Sequence, residues 1–260
     1  MTPEMRENNL QAALFEYCLR LGDDLLVLGH RLSEWCGHAP ILEEDVALAN
    51  IALDCIGQAE AFLHLAGALE GQGRSEDDLA YRRDEYEFRN LHLVEQPRGD
   101  FAFTMVRQFL FDAHAIHLLD FLRECAHGDL AAVAAKTHKE TLYHLRHARE
   151  WVLRLGGGTD ESHRRTQHAL DAVWMFTGEL FANDDVDRVL REAGIAPDPE
   201  VMRAKWRQMV AEVLDEACLR MPSDDIYMAH GSRQGKHSEH LGHLLSEMQI
   251  LARSHPEARW

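Results

Sequence analysis

Between Lys139 and His147 the chain reads Lys-Glu-Thr-Leu-Tyr-His-Leu-Arg-His, which nearly spells a metal motif. Helical bundles that hold two irons carry Glu-x-x-His on each of two helices, because residues i and i+3 share a face and reach one metal together. Here the position three before His144 is Thr141, and the nearest carboxylate, Glu140, stands four before it. Four residues still share a face, but threonine brings no anionic oxygen to the ligand position. The stretch has the form of a ligand helix without its ligand set.

The remaining ligands of such a centre are also thin. The mid-helix polar residues on offer are Asp23 or its neighbour Asp24, Asp54, Asp112, and His144 with Glu140. Aspartate is a methylene shorter than glutamate, and Gly57 stands where a histidine three after Asp54 is needed. The one complete Glu-x-x-His, Glu124 to His127, falls in the last turn before Gly128, at a helix end with no partner. An oxygen-activating centre is therefore not expected. Carboxylates in a bundle interior must then be paired or hydrogen-bonded, so Asp23, Asp54, Asp112 and His144 are expected to turn inward and contact one another or a shared cation.

A second cluster runs from Gly231 to Gly242 and continues to His243, with Arg233, Lys236, His237, Glu239 and His240 among its residues. Its spacing fits no common zinc motif. Ser238 reads as a helix start, and Arg233 and Lys236 ahead of it could hold a phosphate, although a solvated loop is the simpler reading. Cys36 and His38 share one turn before Pro40, too few residues for a metal site. Neither a Ser-His-Asp or Cys-His arrangement nor a phosphate-binding glycine motif can be picked out.

The elements that position these residues are helices. Leu14, Cys18, Leu21, Leu25, Leu28 and Leu32 step by three or four through a first helix, about Leu10 to Trp35. Gly22 and Gly29, two turns apart, point to close approach of a neighbour. A second helix runs from Glu43 to Leu69, with acids in its first turn that suit the helix dipole. A charged segment from Gly71 to Gly99 is too long for a hairpin loop and reads as a crossover. Phe101 to Ala126 and Ala131 to Leu155 follow, the latter with Leu142, Leu145, Val152 and Leu155 as its apolar face. Helix, short turn, helix, long crossover, helix, short turn, helix is the ferritin-like order. The last hundred residues add helices near 162–181, 186–192, 199–219 and 239–252. The expectation is one all-α domain over 1–260, a four-helix bundle at about 10–155 and a C-terminal helical extension at about 160–254.

Composition narrows the partners. The chain has 260 residues, 46% hydrophobic and 27% charged, and a formal charge of −17. That charge opposes general nucleic-acid binding, which rests on basic side chains. Five scattered cysteines without a Cys-x-x-Cys pair read as reduced thiols. The polar stretch from Met1 to Asn9 is unlike a signal peptide, and no membrane span is expected. A cytoplasmic protein follows.

Several segments together resemble one family. They are Leu19 to Asp23, Glu34 to Pro40 with Ala47 to Ile51, Val94 to Pro97, Lys139-Glu140 with Tyr143 to Arg146, and Gly235 to Gly242 with Glu247 to Gln249. The chain is similar to the C subunits of bacterial phenylacetyl-CoA epoxidases, over nearly its whole length. The resemblance implies a structural, non-catalytic subunit without a cofactor of its own. It would pair with a homologous catalytic A subunit that carries the di-iron centre. A small B subunit and a reductase with FAD, an iron–sulfur cluster and NADPH complete such systems, which epoxidise the aromatic ring of phenylacetyl-CoA in phenylacetate breakdown. On this reading Asp23, Asp54, Asp112, Glu140 and His144 mark a degenerate metal site. Arg233, Lys236 and His237 are candidate coenzyme A contacts, and the isolated chain could pair with itself. The alternative is an autonomous metal-binding oxidase or metal-storage bundle.

Overall fold

Leu14, Cys18, Leu25, Leu28 and Leu32 bury one stripe of a long first helix, α1 (Pro3–Ser33), in a computed structural model that describes residues 3–258. The helix starts seven residues ahead of Leu10. Gly37, at φ 77°, turns the chain and donates its N–H to both Asp45 carboxylate oxygens at 2.8 and 3.0 Å. This fixes the first turn of α2 (Leu42–Glu70), which packs along α1. A Cβ at Gly22 would lie 2.7 Å from Leu63 Cδ2, and one at Gly29 would lie 2.9 Å from Ile56 Cγ1. Both glycines therefore allow the helices to approach, as their spacing implied.

The crossover is built rather than slack. It holds α3 (Glu76–Tyr81), capped by Ser75, and the single turn α4 (His92–Glu95). Asp100 then caps α5 (Phe101–Leu122), and α6 (Gly128–Gly156) packs back along it. Beyond the bundle lie α7 (Asp160–Val173), 3₁₀ turns at Trp174–Phe176 and Gly178–Phe181, α8 (Asp185–Glu192), α9 (Pro199–Glu216) and α10 (Glu239–Ser254). The helices α7 and α9 pack on α5 and α6, α8 on α1, and α10 on α3. Trp206 of α9 donates its indole N–H to Leu110 O of α5 at 3.0 Å. No strand occurs among the described residues.

Two readings of the fourth bundle helix need correction. Its fully buried stripe is Leu130, Ala134, Thr137, Thr141, His144, Ala148 and Val152, one residue round from Leu142, which is half exposed. Small side chains form most of this face because α5 packs along it, so hydrophobicity finds Val152, places Leu145 and Leu155 at the partly buried edge, and misplaces Leu142. The preceding helix stops at Leu122, which leaves Glu124 in a turn, while His127 caps α6 by accepting the Leu130 N–H at 3.2 Å. Glu124 and His127 thus share no helix. The second bundle helix also departs from expectation: α2 is long and apolar enough, by length and composition, to cross a membrane. In the fold its Ile51, Phe62, Leu63 and Ala66 are buried in the core.

Candidate functional site

Helices α2, α5 and α6 bring Asp54, Glu140 and Asp112 around the Cys55 thiol, with His144, Gln58 and Gln108 as their hydrogen-bond partners. His144 Nε2 lies 3.1 Å from Asp54 Oδ2, and Gln58 donates its amide to Glu140 at 2.9 Å. The Gln108 amide donates to both Asp112 oxygens, at 2.9 and 3.0 Å. One turn further along α6, His147 Nε2 meets Glu44 at 2.8 Å.

Burial dominates the electrostatics of Asp112, Cys55 and His144. Burial pushes Asp112 well above the usual carboxylate range, against the one Gln108 hydrogen bond that favours its ionised form. Burial likewise raises the Cys55 thiol, helped by the nearby charges of Asp112, Asp54 and Glu140. His144 is lowered by burial, only partly offset by the Asp54 hydrogen bond. Among the described residues no three His, Cys, Asp or Glu side chains converge as a metal site. Thr141 and Gly57 stand where the Glu-x-x-His spacing would need a glutamate and a histidine, and burial disfavours the charged form of Asp112. The residues present do not fit a di-iron centre.

Asp23 was expected at this centre and is not there. It is fully buried and faces the crossover, where Arg83 grips both its oxygens, one at 2.9 Å, and the Arg89 N–H donates at 2.8 Å. Asp24 takes a separate partner: Arg233 spans its carboxylate at 3.0 and 2.8 Å, and the Leu91 N–H adds a bond at 2.7 Å. Of the expected network, only Asp54 and His144 touch. The arginine partners of Asp23 and Asp24 are not foreseen by the sequence pattern because they lie 60 and 209 residues away.

The loop ahead of α10 is built into the protein, not solvated. Arg233 also donates to the carbonyls of Arg20 and Arg89. The His237 ring is wholly buried, with Nδ1 at 3.1 Å from Glu95 and Nε2 at 3.0 Å from Phe88 O. Glu95 further accepts the Ser238 N–H at 2.9 Å and the Asn90 amide at 3.2 Å. Glu179 accepts from Ser232 N at 3.0 Å and bonds His92 Nδ1 at 2.8 Å. The three basic residues expected to face coenzyme A therefore divide: Arg233 and His237 hold the fold together, and Lys236 is exposed. Gly235 sits at φ 77° against the backbone of Tyr86, where a Cβ would overlap the Tyr86 carbonyl. Gly235→Ala should lower stability by about 1–3 kcal/mol, and urea unfolding of the variant measures it.

Next to Asp54 and His144 in the chain, apolar side chains are exposed. Leu42, Val46 and Leu53 of α2 are 76%, 54% and 67% exposed, and Leu142 and Tyr143 of α6 are 48% and 52% exposed. Helices α2 and α6 are neighbours, so these side chains lie on adjoining elements.

The chain is 51% identical over 247 residues, 95% of its own length and 99% of the relative's, to the C subunit of 1,2-phenylacetyl-CoA epoxidase of Escherichia coli (strain K12). A solved structure, protein 19 with aldehyde deformylating oxidase activity from Synechococcus, superposes with a TM-score of 0.58 over 81% of this chain and 94% of that one. At 16% identity it supports the ferritin-like fold alone. A family model described as phenylacetic acid catabolic protein matches residues 1–260, and the chain belongs to that family.

Proposed function

We propose that this single ferritin-like domain is a non-catalytic structural subunit of a cytoplasmic phenylacetyl-CoA epoxidase. It would brace a homologous catalytic A subunit that carries the two irons. A B subunit and a reductase with FAD, an iron–sulfur cluster and NADPH would complete the system. The observation that carries the reading is the state of the centre: Asp23 lies away from it on Arg83, burial raises the Asp112 carboxyl beside Gln108, and Thr141 stands where the spacing needs a glutamate. Chemistry of the di-iron kind needs several anionic oxygens on one face, and this chain has assigned them elsewhere. Support also comes from the exposed apolar side chains of α2 and α6, which suit a second bundle laid against this one. Obligate interfaces of that kind bury on the order of 2,000 Å² or more and are richer in apolar surface than transient ones. Lys236 is the basic residue left free to meet an anionic coenzyme A at the edge of such an assembly.

Reconstitution tests the reading. Catalytic subunit and reductase alone should give little phenylacetyl-CoA epoxidation, and adding this chain should restore it. His144→Ala should assemble and support turnover, and the isolated chain should retain no stoichiometric iron after anaerobic loading. An assembled His144→Ala complex without turnover would return a chemical role to this subunit.

A further inference from the structure

Helices α1, α5, α8 and α9 and the 3₁₀ turn at Gly178–Phe181 wall a cavity of about 230 Å³. Leu21, Leu118, Leu180, Ala196 and Met202 give it an apolar lining. Ala182 and Asn183 also border it and are exposed, which leaves a way in from solvent. None of Asp54, Asp112, Glu140 and His144 borders this space.

One polar group of the lining is left over. Tyr17 of α1 is 6% exposed, and its hydroxyl has no hydrogen-bond partner among the described residues. A buried tyrosine usually finds one, and a buried O–H without an acceptor is costly. Burial pushes the hydroxyl well above its ordinary value, with the charge of Asp187 adding to the rise and those of Arg233 and Arg20 opposing it. It therefore stays a proton donor at neutral pH. The three charged groups that act on it line the same cavity, which puts the hydroxyl end of Tyr17 at the open space.

The charges around the cavity are already matched within the chain. Arg20 reaches Asp184 at 2.6 Å and Glu16 at 3.3 Å, and Arg233 spans Asp24. His114, which also lines the space, is lowered to about 3 by burial and then by the charge of Arg233, so it is neutral. An anionic ligand would have to break these pairs, and a cation would face two guanidiniums. A neutral molecule meets neither penalty. Volume adds a limit, since a cavity of about 150 Å³ admits benzene and drug-sized ligands need about 300 Å³ or more.

We propose that this cavity binds a small neutral single-ring alcohol or ketone, whose oxygen accepts a hydrogen bond from the Tyr17 hydroxyl while its ring packs on Leu118, Leu180 and Met202.

Benzyl alcohol, toluene and benzoate test it on the whole chain carrying isotope-labelled methionine methyl groups. Benzyl alcohol should shift the Met202 methyl signal saturably, and benzoate should leave it in place; Met202→Leu identifies the signal. Tyr17→Phe should weaken benzyl alcohol about tenfold, the size of one hydrogen bond, and should leave toluene no weaker. Ala196→Leu, which fills the cavity, should abolish the benzyl alcohol response. No saturable shift with benzyl alcohol, equal binding by the parent chain and Tyr17→Phe, or tighter binding of benzoate overturns the proposal. Should the variants fail to fold, crystals of the parent chain soaked in benzyl alcohol decide: its oxygen lies within hydrogen-bond reach of Tyr17 Oη, or the proposal fails.

Discussion

Arg83→Met should be about 3–5 kcal/mol less stable than the parent chain, the range found when one member of a buried ion pair is removed. Asp23 and Arg83 are both buried, at 0% and 3% exposure, so the carboxylate left behind gains no compensating water. Asp23 would keep one hydrogen bond, from the Arg89 N–H at 2.8 Å. Arg83 also donates to Leu79 O at 2.5 Å and Glu87 O at 3.1 Å, and it lies over the Phe88 ring at 4.3 Å. Part of the loss thus comes from untying the crossover. A double variant, Asp23→Leu with Arg83→Met, separates the two contributions, because an apolar pair of similar volume often replaces a buried ion pair with little loss. Urea unfolding should place the double variant above the single one. Equal losses would mean that the backbone bonds of Arg83 dominate and that the charge pairing is incidental.

The same pair shows what sequence does and does not carry. The four bundle helices were legible because burial along a helix repeats every three or four residues, and glycines and prolines end the repeats. Leu14 to Leu32 on α1 and Phe101 to Leu119 on α5 follow that rule. The buried face of α6 did not follow it by hydrophobicity, since it is made of Ala134, Thr137, Thr141 and Ala148, and the larger Leu142 is turned outward. What decides there is the space between helices, which local composition does not record. That Thr141 and Gly57 stand where a Glu-x-x-His pair would need glutamate and histidine was readable from spacing. The fate of the carboxylates was not: Asp23 and Asp24 are adjacent in sequence but go to Arg83 in the crossover and Arg233 in the C-terminal loop. Similarly, the segment Val94 to Pro97 drew notice as a family signature without a physical role. Its role is to present carbonyls to buried arginines, Glu95 O to Arg31 and Gln96 O to Arg107, while its Glu95 side chain holds His237.

Glu179→Gln should cost about 3 kcal/mol at neutral pH and almost nothing near pH 2. Burial alone would raise the Glu179 carboxyl, but the hydrogen bond from His92, the Ser232 N–H and the charge of His92 outweigh it and hold the group at about 2 instead of its ordinary 4.5. The interval corresponds to about 3 kcal/mol of preference for the ionised form in the folded protein. A carboxyl lowered by folding contributes above its unfolded value and loses that contribution as pH falls through its folded one, so the acid limb lies between 4.5 and about 2. His92 works in the opposite direction. Burial lowers it, yet the Glu179 hydrogen bond and the charges of Glu179 and Glu95 raise it overall above 6.5. Its contribution is complete below 6.5 and fades as pH rises through the raised value. Both limbs describe one contact seen from its two ends, so the contributions are not added. Glu179 carries the larger share because the Ser232 N–H also donates to it, at 3.0 Å. Unfolding free energies across pH 2 to 9 should give a dome for the parent chain and a flatter profile for Glu179→Gln. Because the contact ties the 3₁₀ turn at Gly178–Phe181 to the crossover and to the loop ahead of α10, hydrogen exchange in that loop should quicken in the variant. Parallel pH profiles for the two proteins would show that this pair is not what couples the C-terminal loop to protonation.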